Sequence, residues 1–304
     1  MNILLTGSTG LIGSELSAFL SGNRHRIIRL VRRAQAGANE ICWDPSSGTL
    51  DAQALEGLDA VVHLAGENIA SGRWTAEKKR RIRESRIRGT QLIAKSLSRL
   101  FDPPKVLVSV SAIGYYGDRG EEKLDEDNDA GTGFLPQLCQ EWESATEAAM
   151  IRGIRVVIPR LGMVLSEKGG SLPRMLTAFR LGVGGSIGNG RQYVSWIAIE
   201  DLVGIINHAL HNESLHGPIN AVSPNPLTNR EFSQVLGRVL ARPVWLALPS
   251  FAARIALGKM ADEVLLASAR VIPERLAESG FKFQFPDIEG ALRHILQKSD
   301  DSRL

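Results

Sequence analysis

Short apolar segments alternate with helix-spaced patterns through the first half of the chain. The apolar segments are five or six residues long and stand at 2–6, 27–31, 60–65, 106–111 and 156–160. Helical spacing of apolar residues follows the first segment, and further helical stretches stand near 86–100 and 136–152. Strands and helices that alternate in this way form βαβ units around a parallel sheet. The pattern therefore predicts an α/β fold with a doubly wound parallel sheet covered on both faces.

A glycine-rich turn joins the first predicted strand to the first predicted helix, and it reads Gly7-Ser8-Thr9-Gly10-Leu11-Ile12-Gly13. This arrangement places backbone N–H groups and the positive end of a helix where a phosphate can bind. Gly7 would permit the tight bend, Gly10 the close approach of a pyrophosphate, and Gly13 the close packing of helix on strand. We therefore predict a Rossmann-type dinucleotide site rather than a plain turn. The predicted contacts in the turn are Gly7, Thr9, Gly10, Leu11, Ile12 and Gly13.

The end of the second predicted strand indicates which dinucleotide binds. NAD-specific sites commonly offer an acid there to the adenosine ribose, whereas NADP-specific sites offer a cation to the 2′-phosphate. This chain has Arg32 and Arg33 at that place and no acid before Glu40. We therefore predict NADP(H). The alternative is that Arg32 and Arg33 are only surface charges. Asp44 could face the adenine or form a turn.

The composition of the chain changes after Leu165, where seven glycines between 169 and 190 predict a loop-rich stretch. A strand pattern returns at 196–199, and helices are predicted from Asp201 and near 228–240 and 261–269. These changes predict a division into a nucleotide-binding domain, a small C-terminal α/β substrate lobe and a frayed tail. The nucleotide-binding domain covers 1–165 with 194–222 returning to it, the lobe covers 166–193 and 223–296, and the tail covers 297–304.

Composition and charge narrow the class of protein. The 304 residues carry a formal net charge of +3, which suits an anionic ligand without requiring nucleic acid. Seven of the eleven residues from 78 to 88 are basic; a solvated helix face, partly turned to a cofactor phosphate, accounts for them better than a nucleic-acid patch. Two cysteines form no disulfide framework, and no segment approaches the length of a membrane span. We expect a cytoplasmic protein without metal ligands, membrane segment or nucleic-acid partner.

Several motifs resemble those of the extended short-chain dehydrogenases/reductases. The turn at 7–13 is similar to their TGxxGxxG signature, and residues 59–66 are similar to the strand motif whose end lies beside the cofactor. Ser109-Val110-Ser111, followed by Tyr115-Tyr116-Gly117-Asp118, resembles the serine strand and YG turn of sugar-nucleotide epimerases. The resemblance implies that Leu64, Ala65 and Gly66 line the cofactor.

A narrower resemblance covers nearly the full chain. It rests on residues 64–69 with Arg73-Trp74, on 179–185 with 188–192, and on 271–276 with Gly280-Phe281. These stretches resemble the atypical, YfcH-type "epimerase family" branch. That likeness implies a Rossmann-type domain, NADP(H) binding and a small C-terminal substrate lobe, and it leaves the substrate open.

The catalytic pair usual in this superfamily is missing. A Tyr-x-x-x-Lys pair needs both side chains on one helix face, but four residues after Tyr115, Tyr116 and Tyr193 stand Arg119, Gly120 and Ile197. The usual Asn-Ser-Tyr-Lys set aligns here with Arg86, Ser111, Cys139 and Glu143.

Ser111, with Ser109 second, and Tyr115 or its neighbour Tyr116 are the remaining catalytic candidates, and Arg86 is a predicted cofactor contact. Cys139 is either a proton donor or a small packed residue, and a nearby carboxylate would raise the pKa of its thiol. His63 fits a core histidine better than a catalytic one.

The sequence therefore favours an NADP(H)-dependent oxidoreductase or epimerase-like enzyme with a non-standard proton donor. Its small-molecule substrate would be a carbonyl, hydroxyl or sugar-nucleotide compound bound between the lobes. The alternative is a non-catalytic NADP(H) sensor, since fold alone does not decide between the two. Arg191 and Trp196 are possible pocket residues, although Trp196 fits the core equally well. A homodimer through the helices near 86–100 and 136–152 is a further expectation.

Overall fold

The computed structural model describes residues 1–32 and 37–301, with side chains described as far as Gln297. The strands in this part of the chain are β1 (Asn2–Thr6), β2 (Arg26–Val31), β3 (Glu40–Asp44), β4 (Thr49–Leu50), β5 (Ala60–His63), β6 (Val106–Ser109), β7 (Ser111–Ala112), β8 (Lys123–Leu124), β9 (Arg155–Leu161), β10 (Met163–Leu165), β11 (Gly185–Ile187), β12 (Tyr193–Val194), β13 (Trp196–Ala198), β14 (Gly217–Ala221), β15 (Leu227–Thr228), β16 (Leu246–Leu248) and β17 (Arg270–Val271).

The α-helices in the same part of the chain are α1 (Leu11–Gly22), α2 (Ala76–Ser98), α3 (Phe134–Ser144), α4 (Glu147–Ile151), α5 (Leu172–Arg180), α6 (Ile199–His211), α7 (Asn229–Val239), α8 (Ser250–Leu257), α9 (Glu274–Glu278) and α10 (Ile288–Asp301). Short 3-10 turns cover Gln53–Leu55 and Ile113–Tyr115, and a π-helical turn covers Ala261–Leu266.

One large sheet organises the molecule. Its strands follow the order β14-β9-β6-β5-β1-β2-β3-β4, and β7 joins it beside β9. The pairs are parallel except for the short antiparallel pair of β3 with β4. The chain runs from β1 outward to β2 and β3 on one side and then returns to build β5, β6, β9 and β14 on the other. The predicted doubly wound parallel sheet is therefore confirmed, with its switch point between β1 and β5.

Both faces of the sheet are buried, which explains why its strands are nearly continuous apolar runs. Successive side chains along a strand point to opposite faces. Ile3 and Leu5 of β1 pack with Leu16 of α1, and helix α6 covers the same face. Leu4 packs with Ile93 of α2 on the other face.

Two helices differ from the sequence prediction. The stretch predicted at 136–152 is divided into α3 and α4, and the Thr146 hydroxyl at the break donates a hydrogen bond of 2.7 Å to the Glu143 carbonyl. A hydroxyl that competes for a helical carbonyl weakens the helix locally. The basic segment at 78–88, which the sequence places on a helix, and the helical stretch near 86–100 form a single helix, α2. It begins after Thr75, whose side chain caps it by accepting from the Lys78 N–H.

A separate hydrophobic cluster lies in the C-terminal half. It joins α5, α7 and α10 through Phe179, Phe232 and Leu292, and it includes the fully buried Trp196 of β13. Trp196 is thus a core residue rather than a pocket residue. Helix α7 matches the helix predicted near 228–240, and α10 continues to Asp301, inside the segment expected to be a frayed tail. The domain bounds stay a prediction.

Candidate functional site

The glycine turn lies at the carboxyl end of β1, at the switch point of the sheet. Gly7 has a φ of +67°, and a Cβ built on it would lie 3.0 Å from the Leu64 carbonyl carbon. A Cβ on Gly13 would lie 2.1 Å from the Gly7 carbonyl oxygen, far inside any real contact. The turn closes with a hydrogen bond of 3.0 Å from the Gly10 N–H to the Gly7 carbonyl. No side chain caps α1 at Gly10, so its first N–H groups face the turn and can meet an anion.

The ends of β1 and β5 are tied together by the Thr6 hydroxyl. Its oxygen accepts from the backbone N–H groups of Leu64 and Ala65, each at 3.1 Å. Its proton is therefore donated to His63 Nδ1, which lies 2.7 Å away. Burial, with a smaller contribution from the Arg86 charge, lowers the pKa of His63 to about 4. His63 is a neutral core residue that supports the predicted cofactor contacts 64–66.

Arg86 of α2 lies directly against that loop. Its Nη1 donates to the carbonyls of Glu67 and Ile82 at 3.0 and 3.2 Å, and a Cβ on Gly66 would lie 3.4 Å from its Cζ. The guanidinium covers the Trp142 ring at 4.9 Å. Burial lowers the pKa of Arg86 to about 10. Its hydrogen-bond partners in the described chain are carbonyls rather than carboxylates, so the loop after β5 carries a half-buried cation without a directly bonded counter-ion.

Of the two arginines expected at the cofactor's adenosine end, one lies in the described part of the chain. Arg32 is exposed directly after β2, whereas Arg33 lies outside the described residues. Lys78 donates to Glu67 at 2.6 Å and lowers the pKa of that carboxyl, to which the Arg32 charge also contributes. Asp44 serves a turn: its carboxylate accepts from Ser46 and Ser47, and these hydrogen bonds lower its pKa to about 2.

The usual catalytic region contains a buried ion pair. Ser111 of β7 stands beside Arg160 of β9 in register, and α3 brings Glu143 over both. Arg160 donates to Glu143 through Nε and Nη2, each at 2.9 Å, and the Ser111 hydroxyl donates to Glu143 Oε1 at 2.7 Å. The side chains of Arg160 and Glu143 are only 3% and 12% exposed. The position aligned with the usual lysine thus holds a carboxylate that an arginine neutralises.

The two neighbouring tyrosines differ in their surroundings. The Tyr116 hydroxyl accepts from Arg160 Nη1 at 2.9 Å, and its one proton faces two acceptors, Asn220 Oδ1 at 2.8 Å and the Asp125 carbonyl at 2.9 Å. Tyr116 has no exposed surface, and burial raises its pKa to about 12. Tyr115 is partly exposed, and its ring lies 3.5 Å from the Arg160 guanidinium carbon. Of the two, Tyr115 keeps access to a ligand.

The remaining aligned position, Cys139, is part of the helix packing. Its thiol is buried and donates to the Ala112 carbonyl at 3.6 Å. Burial, and then the Glu143 charge, raises the pKa of Cys139 to about 12. A thiol this weakly acidic stays neutral and is a poor proton donor. This geometry favours the interpretation of Cys139 as a small packed residue rather than a proton donor.

Sequence reasoning missed Arg160, which pairs with Glu143, and Asn220, which bonds to Tyr116. Arg160 stood only at the end of the predicted strand at 156–160, and Asn220 was not singled out. A carboxylate on the apolar face of α3 was the available signal, because a buried charge needs a partner. Ser109, the second serine, is buried with its hydroxyl unpartnered, and Arg191 is exposed.

Among residues 1–32 and 37–301, no group of three or more potential ligands could hold a metal ion. No helix of this part of the chain is long and apolar enough to cross a membrane.

Comparison with known proteins agrees with this architecture. The model of the NAD dependent epimerase/dehydratase family matches residues 3–221, and that of a domain of unknown function (DUF1731) matches 248–295. The chain is 45% identical to Epimerase family protein ML0860 of Mycobacterium leprae, over 96% of this chain and 94% of the relative. It is 38% identical to human Epimerase family protein SDR39U1, over 97% of this chain and 100% of the relative.

Solved structures show the same likeness. The crystal structure of human SDR39U1 (isoform 2) with NADPH superposes with a TM-score of 0.88 at 36% identity, covering 98% of this chain and 99% of that one. UDP-N-acetylglucosamine 4-epimerase from Bacillus cereus shares the fold, with a TM-score of 0.75 at 16% identity over 98% and 99% of the chains. The chain therefore belongs to the NAD dependent epimerase/dehydratase family, as an atypical extended short-chain dehydrogenase/reductase.

Proposed function

We propose that the protein binds NADP(H) at the glycine turn and acts as an oxidoreductase or epimerase-like enzyme. The observation that carries this proposal is the half-buried Arg86, whose hydrogen-bond partners are carbonyls and which stands against the loop beside the turn. A partly desolvated charge without a bonded counter-ion is unfavourable, and an anionic ligand would offset that cost. The human relative crystallised with NADPH supports this choice of anion.

The residues present fit such a cofactor. The free N–H groups at the start of α1 would receive the pyrophosphate, and Gly7, Gly10 and Gly13 leave room for it. Thr9, Leu11 and Ile12 complete the turn, and Leu64, Ala65 and Gly66 would line the opposite side. Arg32, with Arg33, would receive the 2′-phosphate. A bound nicotinamide supplies hydride chemistry, and the protein supplies position and charge.

Ser111 and Tyr115 are the groups that we propose to touch the substrate. Ser111 would anchor one polar group of a small carbonyl, hydroxyl or sugar-nucleotide compound. Tyr115 has a partly exposed ring that packs on Arg160, so its hydroxyl would donate a proton to the substrate or accept one from it. Tyr116 and Glu143 would position these two groups without contacting substrate.

A second candidate function is a non-catalytic NADP(H) sensor. It is favoured by the state of α3, where the Cys139 thiol is buried with a pKa near 12 and Glu143 is bonded to Arg160. Cofactor oxidation screening over carbonyls and sugar nucleotides separates the two functions. Turnover that Tyr115→Phe abolishes supports the enzyme, whereas persistent absence of turnover in cofactor-loaded protein supports the sensor.

Tryptophan fluorescence titration with NADPH and NADH tests the cofactor assignment. NADPH is expected to bind at least about tenfold more tightly, because roughly 1.4 kcal/mol of phosphate contact suffices for that ratio. Arg32→Ala should remove the preference. Arg88→Ala is the control: it removes an exposed cation that is paired with Glu84, and it should preserve the preference for NADPH. Equal affinities in the wild-type protein would overturn the assignment.

A further variant tests the observation on which the proposal depends. Arg86→Met keeps the packing against Trp142 and removes the charge, so we expect it to weaken the binding of NADPH and NADH alike.

We also propose that the protein pairs through α2 and α3 as a homodimer in the cytoplasm. Sedimentation analysis tests the pairing, and a monomer at micromolar concentration would overturn it.

A further inference from the structure

A run of exposed apolar side chains lies on β16 and α8, far along the chain from the glycine turn. Five large apolar residues between 245 and 255 are exposed: Trp245, Leu246, Leu248, Phe251 and Ile255. Trp245 is 85% exposed, Phe251 64% and Ile255 68%. Single exposed apolar residues are ordinary, but several together mark a surface that binds something. We call these five residues the apolar ridge.

The local structure explains why the ridge is exposed. Alternate residues of a strand share one face, so Leu246 and Leu248 of β16 point to the same side. Residues four apart on a helix share one face too, so Phe251 and Ile255 of α8 stand together. The opposite side of α8 is already covered, because Ala253 is buried. A helix with apolar residues on both sides is normally covered on both.

The charge around the ridge is of one sign. Residues 232–261 contain four cations and no Asp or Glu. Two of these cations are neutralised from outside the segment, by Glu289 and by Asp262. Arg242 and Lys259 precede and follow the ridge, are exposed, and have no carboxylate partner among the described residues. The ridge is therefore flanked by unpaired positive charge.

This combination distinguishes between possible occupants. A second copy in a twofold contact would bring the same cations together. A partner helix would need a groove, but the groove between α2 and α3 and the groove beside α9 are lined by other residues. An anionic lipid surface accepts protruding apolar side chains, and its headgroups attract cations. Tryptophan suits such an interface, because its ring is apolar and its N–H is polar.

We propose that the apolar ridge binds the surface of an anionic membrane. Trp245, Phe251 and Ile255 enter the boundary between headgroups and acyl chains, and Arg242 and Lys259 lie among the headgroups. Such a contact lies on the membrane and requires no spanning helix. It goes beyond the proposed function and does not depend on the cofactor.

Co-sedimentation of the full chain with vesicles tests the proposal. Vesicles of equal parts phosphatidylcholine and phosphatidylglycerol should bind the protein at least about tenfold more tightly than vesicles of phosphatidylcholine alone. The chain also supplies a probe: the other four tryptophans are buried, so a blue shift of the emission on the mixed vesicles reports Trp245. Equal binding to the two kinds of vesicle, or an unshifted emission, would overturn the inference.

Two pairs of variants show whether the ridge makes the contact. Phe251→Ser should weaken binding to the mixed vesicles at least about tenfold. Phe101→Ser is its control, because it removes another exposed ring, 95% exposed, and should leave binding unchanged. Arg242→Gln should weaken binding about fivefold. Arg80→Gln, on the basic stretch of α2, should have little effect. All four side chains are exposed, so the melting temperature should stay the same.

The variants also identify the other possible occupants. Vesicle binding that Arg80→Gln weakens and Arg242→Gln does not would assign the lipid to α2 and overturn the inference. Unchanged vesicle binding by Phe251→Ser overturns it in any case, and a dimer that dissociates in that variant would show that a second copy covers the ridge. Equal affinities for NADPH and NADH would overturn the proposed cofactor and leave the membrane contact standing.

Discussion

Arg160 of β9 holds both carboxylate oxygens of Glu143 of α3 at 2.9 Å, at the position aligned with the usual catalytic lysine. The pair is neutral as a unit, so it supplies no net positive charge to the neighbouring Tyr115. It instead fixes Glu143 as the acceptor for Ser111 and Arg160 as the support of both tyrosines. The positive charge that a lysine usually supplies at this position is thus replaced by a glutamate–arginine ion pair.

Breaking this pair should be costly to stability. Either Glu143→Leu or Arg160→Met leaves one buried charge uncompensated, so we expect the free energy of unfolding to fall by about 3–5 kcal/mol. The double variant should lose less than the sum of the two, because no unpaired charge remains. Urea denaturation measures all three.

The exposed pair of Arg88 with Glu84 provides the control for that experiment. Arg88→Ala removes a solvated ion pair and should change the free energy of unfolding by less than about 1 kcal/mol. Additive losses in the Glu143 and Arg160 variants would show that the two side chains do not depend on each other.

Gly13 should tolerate no side chain. A Cβ there would lie 2.1 Å from the Gly7 carbonyl oxygen, so Gly13→Ala must move α1 away from the turn. We expect a lower melting temperature and loss of NADPH binding. Gly22→Ala in the same helix meets nothing within 4 Å and should leave both unchanged or raise the melting temperature slightly. Normal NADPH affinity in Gly13→Ala would contradict the geometry of the turn.

Thr6 should matter through its hydroxyl rather than its shape. Thr6→Val leaves the N–H groups of Leu64 and Ala65 without their acceptor, which should cost about 1–3 kcal/mol of unfolding free energy. NADPH binding should weaken as the loop at 64–66 loosens. Thr6→Ser restores the hydroxyl and should recover most of both. Equal behaviour of the valine and serine variants would refute this role.

Stability should fall in mild acid because of His63. Its pKa is lowered to about 4 in the folded protein, while an unfolded histidine titrates near 6.5. The unfolded state therefore binds the proton between these values, and the free energy of unfolding should drop by roughly 2–3 kcal/mol from pH 7 to pH 4. Replacement by glutamine should make this slope shallower. An unchanged slope would assign the acid sensitivity to other groups.

Local patterns predicted much of the fold. The strand at 2–6, the glycine turn and the apolar strands through 156–160 are local in sequence, so the parallel sheet could be predicted from them. The division of α3 from α4 could not, because no glycine or proline marks it. The structure shows that the Thr146 hydroxyl bonds to the Glu143 carbonyl at the break, and a threonine alone does not predict such a bond.

The candidate site was harder to predict than the fold. Glu143 and Arg160 are 17 residues apart, whereas Tyr116 and Asn220 are 104 apart. No local pattern indicates which distant polar residue meets which. The alignment with the usual serine, tyrosine and lysine located Ser111 and Glu143, but chemistry alone did not reveal that an arginine on β9 would neutralise the carboxylate.

The crystal structure of this protein with NADPH tests the central claim most directly. The account predicts the pyrophosphate against the first N–H groups of α1, the 2′-phosphate beside Arg32, and Arg86 in contact with the cofactor. A cofactor bound away from the glycine turn, or at the turn with Arg86 still bonded only to carbonyls, would contradict it.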